Sequence, residues 1–247
     1  MQDGEISIND MFKRKIPDIT LEEKIDYIVN THAFDSIPVT KEEVIQTEQV
    51  PDGADPFIAG QIRCINYMKI LADQTNLFPL KERVTAQNFD KCFNWFKALY
   101  KNRYYDLYLS NLRDGNNYDF PQGNDLDTYR TGDYVMSDRK ACAPSSIKQL
   151  LAEAFNEFIA EYKKCYDRLD NPKLMERHEY KALEIAAYEL GLSIWCIHPF
   201  DVGNGGIGRI VENICRLHVG LRLQTYANKQ TFNNDAALLY YRKYKNR

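Results

Sequence analysis

Apolar residues recur every three or four positions along most of the chain, which is the spacing of one face of an α-helix. The clearest stripe follows Pro144 and comprises Ile147, Leu150, Leu151, Ala154, Phe155, Phe158, Ile159 and Tyr162. The same spacing predicts a helical stripe over 89–100 and helices over 179–197 and 205–219, the last ending at Gly220. The pattern therefore predicts an all-α fold, built as a bundle of helices.

Polar signals mark two helix starts near the N-terminus. Thr20 with Glu23, and Thr40 with Glu43, have the spacing of a capping box, in which each side chain accepts a hydrogen bond from the other residue's backbone N–H group. Residues 128–143 combine turn residues with a short apolar run, which is typical of a β-hairpin. We expect one short hairpin in an otherwise helical protein.

Composition narrows the class of protein. The 247 residues, 44% of them hydrophobic, suffice for one substantial core. We expect residues 1–50 to form N-terminal helices and residues 51–247 to form the core of a single compact unit.

The longest uncharged apolar runs, such as LGLSIWCI at 190–197, are far shorter than the roughly 20 residues of a membrane span. A net charge of −3 offers no cationic surplus for nucleic acid. We expect a soluble protein that binds neither membrane nor nucleic acid.

The cysteines and the isolated histidines show no metal-ligand spacing. The six cysteines are Cys64, Cys92, Cys142, Cys165, Cys196 and Cys215. Each lies among apolar or helical neighbours, so we expect free buried thiols rather than disulfides or zinc ligands. We expect His32, His178 and His218 at the surface or at helix caps. Free thiols are typical of a reducing cytoplasm, which is the expected location, and delivery into another cell stays open.

The candidate chemistry lies in residues 198–208, HPFDVGNGGIG, where one histidine precedes four glycines. Glycines this dense let backbone N–H groups approach a phosphate, most favourably at the start of a helix. The stretch 203–208, GNGGIG, also matches the dinucleotide fingerprint G-x-G-x-x-G, which functions between a strand and a helix. Because a long amphipathic helix is predicted before this loop, dinucleotide-dependent redox chemistry is disfavoured.

A helix, His-Pro-Phe, a glycine-asparagine turn and a second helix with an arginine in its first turn together resemble the Fic (Fido) family, whose pattern is H-P-F-x-[D/E]-G-N-G-R-x-x-R. Seven positions match: His198, Pro199, Phe200, Gly203, Asn204, Gly205 and Arg209. Fic enzymes typically transfer AMP from ATP to a Ser, Thr or Tyr hydroxyl of a protein. The resemblance implies a Fic-type helical bundle with a hairpin flap, and a protein adenylyltransferase that uses ATP. Its substrate would be another protein or the chain itself, and a homo-oligomer stays open.

The resemblance also implies roles for the matched residues. His198 is implied as the base on the target hydroxyl, and Phe200, with Pro199 beside it, anchors the loop in the core. Phosphate-binding roles are implied for Gly203, Asn204, Gly205, Gly206 and Arg209, the last of which grips the distal phosphate.

Two further stretches extend the resemblance over most of the chain. TYRTGDYVM, at 128–136, resembles the family's flap, a hairpin that lays the target's backbone alongside it as an added strand. The implied flap residues are Arg130, Tyr134, Val135 and Met136. THAFDSIPVT, at 31–40, resembles the inhibitory segment [S/T]-x-x-x-E-[G/N], with Thr31 and Asp35 in the key places. In the family this acid pairs with the last motif arginine, here Arg209, and blocks the productive pose of the nucleotide.

Two positions depart from the pattern, because Val202 stands where the family carries an acid and Gly206 where it carries an arginine. The acid normally holds Mg²⁺ against the nucleotide phosphates, so its loss implies a slower or metal-independent enzyme. Asp201 is the candidate surrogate ligand. Two alternatives stay open: a degenerate Fic-fold protein that binds a partner or nucleotide without catalysis, and a transferase with another donor, such as UTP, GTP or a phosphocholine carrier.

Overall fold

The computed structural model describes residues 16–34, 39–49, 55–114, 128–136, 139–169, 174–226 and 229–245. Within these ranges the protein consists of helices and a two-stranded hairpin, which confirms the all-α class. The helices are α1 (Leu21–Phe34), α2 (Lys41–Gln49), α3 (Pro56–Ala72), α4 (Phe89–Cys92), α5 (Asn94–Asp114), α6 (Ile147–Leu169), α7 (Arg177–Ile197), α8 (Asn204–His218) and α9 (Lys229–Leu239), which continues into a π-helical turn.

Both predicted capping boxes are confirmed. The Thr20 N–H group donates to the Glu23 carboxylate at 2.9 Å, and the Glu23 N–H group donates to the Thr20 hydroxyl at 3.1 Å. Thr40 and Glu43 form the same pair at 2.8 and 3.2 Å. These bonds satisfy backbone donors that have no partner inside the helix, so α1 and α2 begin where the sequence places them.

The predicted stripe of α6 is buried along its whole length. The stripe over 89–100 is not one helix, because the backbone breaks at Phe93 (φ −130°, ψ 53°) between α4 and α5. The break brings three aromatic rings onto Phe155 of α6: those of Phe89 and Phe96 at centroid distances of 5.4 and 5.9 Å, and that of Phe93 at 4.2 Å. Aromatic packing between helices therefore outweighs the local preference for a continuous helix.

Helices α7 and α8 form the centre of the bundle, with α6 and α9 packed on α7 and α3 packed on α8. A glycine pair lets the two central backbones touch. A Cβ atom built on Gly208 would lie 2.3 Å from the Gly191 carbonyl oxygen, and one on Gly191 would lie 2.8 Å from that of Gly208. No larger residue fits at either position without separating the helices, so the end of α7 is held beside the start of α8.

The hairpin lies in the predicted region. Strand β1 (Val135–Met136) pairs antiparallel with β2 (Arg139–Lys140), with Val135 opposite Lys140. None of the helices in the described ranges combines the length and apolar composition that a membrane-spanning segment requires. The six cysteines all lie in described segments as free thiols, and all except Cys92 are buried.

Candidate functional site

His198 ends α7 in a strained backbone conformation. It lies in the left-handed region (φ 56°, ψ 62°), where no other non-glycine residue of the described chain is found. Its N–H group still closes the last turn of α7 by donating to the Ile194 carbonyl at 3.0 Å. Pro199 follows, and the residue before a proline is disfavoured in the helical region, so the chain turns out of α7 at this histidine. Strain of this kind costs about 1–3 kcal/mol and is found most often at functional sites.

The imidazole of His198 is buried but only partly hydrogen-bonded. Its Nδ1 atom lies 3.4 Å from the Trp195 carbonyl oxygen, and Nε2 has no hydrogen-bond partner. The ring of Tyr134, from the flap, stacks on it at a centroid distance of 4.2 Å and an interplanar angle of 19°. With the proton on Nδ1, directed at Trp195, the Nε2 atom presents its lone pair.

The surroundings keep this imidazole neutral. Burial lowers the pKa of His198 to about 4; the Trp195 carbonyl opposes that shift, and the Arg130 guanidinium adds to it. The ring is therefore unprotonated at neutral pH, which is the state that a proton acceptor needs.

Arg130 ties the base of the flap to the end of α7. Its guanidinium donates to the carbonyls of His198 (Nε, 2.6 Å) and Gly132 (Nη1, 2.7 Å) and to that of Cys142, and its backbone N–H group donates to Pro199 at 2.9 Å. The side chain is only 3% exposed. It therefore lies inside the protein, where it positions the flap, and not on the outer face where a target-binding flap residue is expected.

Phe200 and Asn204 close the turn between α7 and α8. The Phe200 ring stacks on that of Tyr100 in α5, with a centroid distance of 4.0 Å and an interplanar angle of 3°. The Asn204 carboxamide accepts a hydrogen bond from the Phe200 N–H group at 2.8 Å and donates to the Phe200 carbonyl at 2.7 Å. The Phe200 side chain is thus buried in the core. The Asn204 side chain is hydrogen-bonded to the loop backbone here.

The first turn of α8 combines Gly203 with two further glycines. Gly203 lies in the left-handed region (φ 73°), and a Cβ atom there would lie 1.7 Å from the Tyr104 hydroxyl oxygen. A Cβ atom on Gly205 would lie 2.8 Å from the Trp195 ring. These close contacts exclude side chains from both positions. The backbone donors that begin a helix attract anions through the helix dipole.

Arg209 lies one turn into α8 and is only 3% exposed. Its guanidinium lies over the rings of Tyr226 and Phe232, at 5.8 and 5.6 Å from their centroids, and Nη1 is 3.7 Å from a Cβ atom built on Gly205. Tyr226 donates a hydrogen bond to Glu212, whose pKa burial raises to about 7. These aromatic residues also line a cleft of about 440 Å³ between α7, α8 and α9.

A crystal structure of a Fic domain containing signaling protein from Bacteroides thetaiotaomicron is similar to this chain. The similarity has a TM-score of 0.52 and 11% sequence identity, and it covers 89% of this chain and 71% of that one. The chain has a Fic-type fold. No protein-family model matches the sequence, and no curated protein matches it either. At this identity the likeness establishes the fold.

The resembled pattern has its metal-binding acid at position 202, where this chain has a valine. Val202 is half-buried at that place, and the neighbouring Asp201 is exposed. Among the described residues, no group of three or more His, Cys, Asp or Glu side chains is arranged to hold a metal ion. The donor set at this turn does not fit a magnesium site built from protein side chains alone.

Of the other expected site residues, the structure describes only some. Tyr134 and Val135 are exposed on the flap, and Met136 lies in β1 with its side chain outside the described part. Thr31 lies in the last turn of α1, where side chains are outside the described part as well, and Asp35 lies outside the described residues.

Sequence reasoning missed one set of site residues, which lies on α5. Tyr100 contacts Phe200, Tyr104 lies against Gly203, and Arg103 lies against Gly206. These three positions share one face of α5, since their spacing is that of neighbouring helical turns. The sequence contained a signal for these residues. Arg103 follows Tyr100 by three positions, so a charged residue continues the helical stripe of aromatic residues over 89–100.

Proposed function

We propose that this chain is a nucleotidyltransferase of the Fic type, which transfers AMP from ATP to a hydroxyl group of a protein. The observation that carries the proposal is the state of His198: a neutral imidazole with Nε2 free, placed at the turn that leads into a glycine-rich helix start. A general base and a phosphate-binding helix start are the two groups that this transfer needs.

In the proposed reaction the hydroxyl oxygen of the target attacks the α-phosphorus of ATP. His198 Nε2 accepts the hydroxyl proton, and the bond between the α-phosphorus and the oxygen that bridges to the β-phosphorus breaks. The products are an AMP ester of the target and pyrophosphate. The backbone N–H groups at the start of α8, together with Arg209, stabilise the negative charge on the phosphates.

The target is proposed to be a protein segment laid along the flap, with Tyr134 and Val135 facing it, and a hydroxyl of the chain itself is included. ATP is the proposed donor, and GTP, UTP and a phosphocholine carrier are alternatives because phosphate recognition does not read the base. Val202 supplies no metal ligand, so the proposed reaction proceeds slowly, or without a protein-bound Mg²⁺ ion.

A second function is nucleotide binding without transfer. Two observations favour it: Val202 in place of the acid, and the Asn204 side chain engaged by the Phe200 backbone. In that case His198 and the loop would form a nucleotide-binding site without turnover, and ATP would bind without labelling any protein.

Incubation with ATP radiolabelled at the α-phosphate tests both functions, with and without Mg²⁺ or Mn²⁺ and with GTP and UTP in parallel. Transfer predicts label on the chain or on an added protein. The Val202→Glu variant should increase labelling and make it metal-dependent, because it restores a carboxylate at the metal position. Val202→Gln is the matched control of similar size without charge. Calorimetric ATP binding with no label in any arm would replace transfer by binding alone.

Regulation by residues 31–40 is proposed on the resemblance of THAFDSIPVT alone. If Asp35 pairs with Arg209 as the family's inhibitory acid does, Asp35→Ala should increase labelling, because Arg209 then binds phosphate without competition. Arg209→Ala should lose activity in either background. Unchanged or decreased labelling in Asp35→Ala would reject inhibition by this residue.

A further inference from the structure

Helix α5 places a guanidinium against the motif turn from outside the motif. Arg103 is only 2% exposed, and its guanidinium lies 5.3 Å from the ring centroid of its neighbour Tyr104. Tyr104 in turn lies against Gly203, and Tyr100 stacks on Phe200. One face of α5 therefore follows the turn from Phe200 to the first turn of α8.

Arg103 fills the space that the missing motif arginine would need. Gly206 holds the motif place where the resembled pattern has its first arginine. A Cβ atom built on Gly206 would lie 2.2 Å from Nη1, 2.4 Å from Cζ and 2.5 Å from Nη2 of Arg103. A side chain at position 206 and the present position of the Arg103 guanidinium therefore exclude each other. A guanidinium group is therefore present at this turn, carried by a residue of α5 and not by position 206.

The turn also brings positive groups together. The guanidinium of Arg103 stays protonated at any physiological pH. The helix start beside it carries partial positive charge on its backbone N–H groups. Arg209 lies against the neighbouring Gly205. A phosphate group at the first turn of α8 would gain from both guanidinium groups and from the backbone donors, through charge-assisted hydrogen bonds.

We propose that Arg103 supplies, from α5, the phosphate-binding guanidinium that Gly206 no longer provides, and that it binds the β- and γ-phosphate oxygens of a nucleoside triphosphate. The inference rests on the proposed function, since it concerns the same nucleotide. It makes Arg103 a binding residue that distinguishes a triphosphate from a monophosphate. The leaving pyrophosphate is the group that it holds during transfer.

Calorimetric titrations with ATP, AMP and inorganic tripolyphosphate test this role. In Arg103→Gln we expect the affinity for ATP and for tripolyphosphate to fall about ten- to a hundredfold, the usual effect of losing a charge-assisted contact. The affinity for AMP should stay unchanged, because AMP lacks the distal phosphates. A purely structural role would weaken ATP and AMP alike, and thermal unfolding of each variant shows whether the fold is retained. Arg63→Gln is the matched control, since Arg63 lies on α3 and binds the Asn102 carbonyl at 3.1 Å.

A double variant sharpens the test. Gly206→Arg alone should lose the fold or ATP binding, because the new side chain collides with Arg103. The pair Arg103→Ala with Gly206→Arg should recover ATP binding, because it returns the guanidinium to the motif position and vacates the space for it. Recovery of ATP binding would support a phosphate-binding role, since an arginine on another helix would not replace packing contacts made by Arg103.

The outcomes separate this inference from the proposed function. If the unmodified protein binds ATP and Arg103→Gln binds it equally well, the role of Arg103 is overturned and the proposed function stands. If the unmodified protein binds tripolyphosphate through Arg103 but does not bind ATP, the proposed function is overturned and the phosphate-binding role stands. Absence of binding to both overturns both.

Discussion

One buried histidine, His218, ends α8, and another, His198, ends α7 before the turn into α8; their hydrogen bonding differs greatly. At the C-terminal end, His218 is fully buried; its Nδ1 atom lies 2.9 Å from the Ala72 carbonyl and its Nε2 atom 2.8 Å from the Tyr162 hydroxyl. At the end of α7, before the turn into α8, His198 has a long contact from Nδ1 to the Trp195 carbonyl and no hydrogen-bond partner at Nε2. A histidine with both nitrogens bonded connects three segments of the core, whereas one with a free Nε2 can accept a proton.

The backbone conformation beside these two histidines also differs, because it is relaxed after His218 and strained at His198. The C-terminal end closes in the regular way, with Gly220 in the left-handed region (φ 83°) and the Leu221 N–H group donating to the Arg216 carbonyl at 2.9 Å. At the other end the left-handed position before the turn is taken by His198 itself, where a glycine would be relaxed. The relaxed glycine turn follows α8 and the strained histidine precedes it, and backbone strain of this kind is found most often at functional sites.

The largest expected effect is on transfer. His198→Ala should lower labelling from ATP about a hundredfold to ten-thousandfold, the usual contribution of a general base. Binding of ATP should remain, because the role proposed for His198 is to accept a proton and not to bind phosphate. Quantified labelling at saturating ATP is the measurement. The matched control is His178→Ala, since that side chain is 77% exposed. Equal labelling of the two variants would place the base elsewhere.

His218→Ala should act on the fold instead. It leaves the Ala72 carbonyl and the Tyr162 hydroxyl buried without their partner and opens a cavity beside Phe78, whose ring centroid is 5.2 Å away. We expect the free energy of unfolding to fall by about 3 kcal/mol. Urea denaturation measures it. If His198→Ala lost as much stability as His218→Ala, the two histidines would not differ as described.

The pH dependence of stability should separate His198 from a second buried group. Burial holds the pKa of His198 at about 4, against 6.5 for an ordinary histidine. Between these values only the unfolded chain binds the proton, so this group lowers the free energy of unfolding as the pH falls from 6.5 towards 4. Glu212 has a pKa raised from 4.5 to about 7, so this group increases the free energy of unfolding as the pH falls from 7 to 4.5.

Single variants isolate each contribution. As the pH falls from 6.5 to 5.5, the stability of the unmodified protein relative to His198→Ala should decrease by about 1 kcal/mol. Relative to Glu212→Gln, the stability of the unmodified protein should increase as the pH falls over the same interval. Urea denaturation at both pH values gives the two differences, and equal signs would contradict the assigned pKa shifts.

The smallest effect concerns the flap. Removing the ring that stacks on the imidazole, in Tyr134→Ala, should let water reach His198 and raise its pKa by about one unit. A nuclear magnetic resonance titration of the imidazole follows this shift. Val135→Ala, at the exposed neighbouring position, serves as the control, and the same shift in both variants would mean that the Tyr134 ring does not shield His198.

Features that depend on neighbouring residues could be predicted from the sequence. The capping boxes of Thr20 and Thr40, the buried stripe of α6 and the turn that begins at His198 are encoded within one or two helical turns. The Fic-type fold was indicated by the motif, and the similar crystal structure confirms it at the level of the fold. The roles of the individual motif residues stay predictions.

Features that depend on distant segments could not be predicted. The break at Phe93 exists because rings from α4 and α5 converge on Phe155, which lies on another helix. His218 was expected at the surface or at a cap and is instead buried against Ala72, far away along the chain. The guanidinium of Arg103 reaches Gly206 only because α3, α5 and α8 pack together, and a motif pattern contains no information about that packing.

The contact between Gly191 and Gly208 has a mechanical consequence. Because the backbones of α7 and α8 touch there without side chains between them, close packing opposes sliding of one helix along the other. Under the proposed function, this contact would hold His198 and the turn before α8 at a nearly constant separation. Under the proposed function, entry of a substrate would then depend on motion of the two-stranded hairpin, and surface loops move on the nanosecond-to-microsecond scale. Turnover would then be timed by the hairpin, and a crosslink across it would slow entry without altering the geometry of the reacting groups.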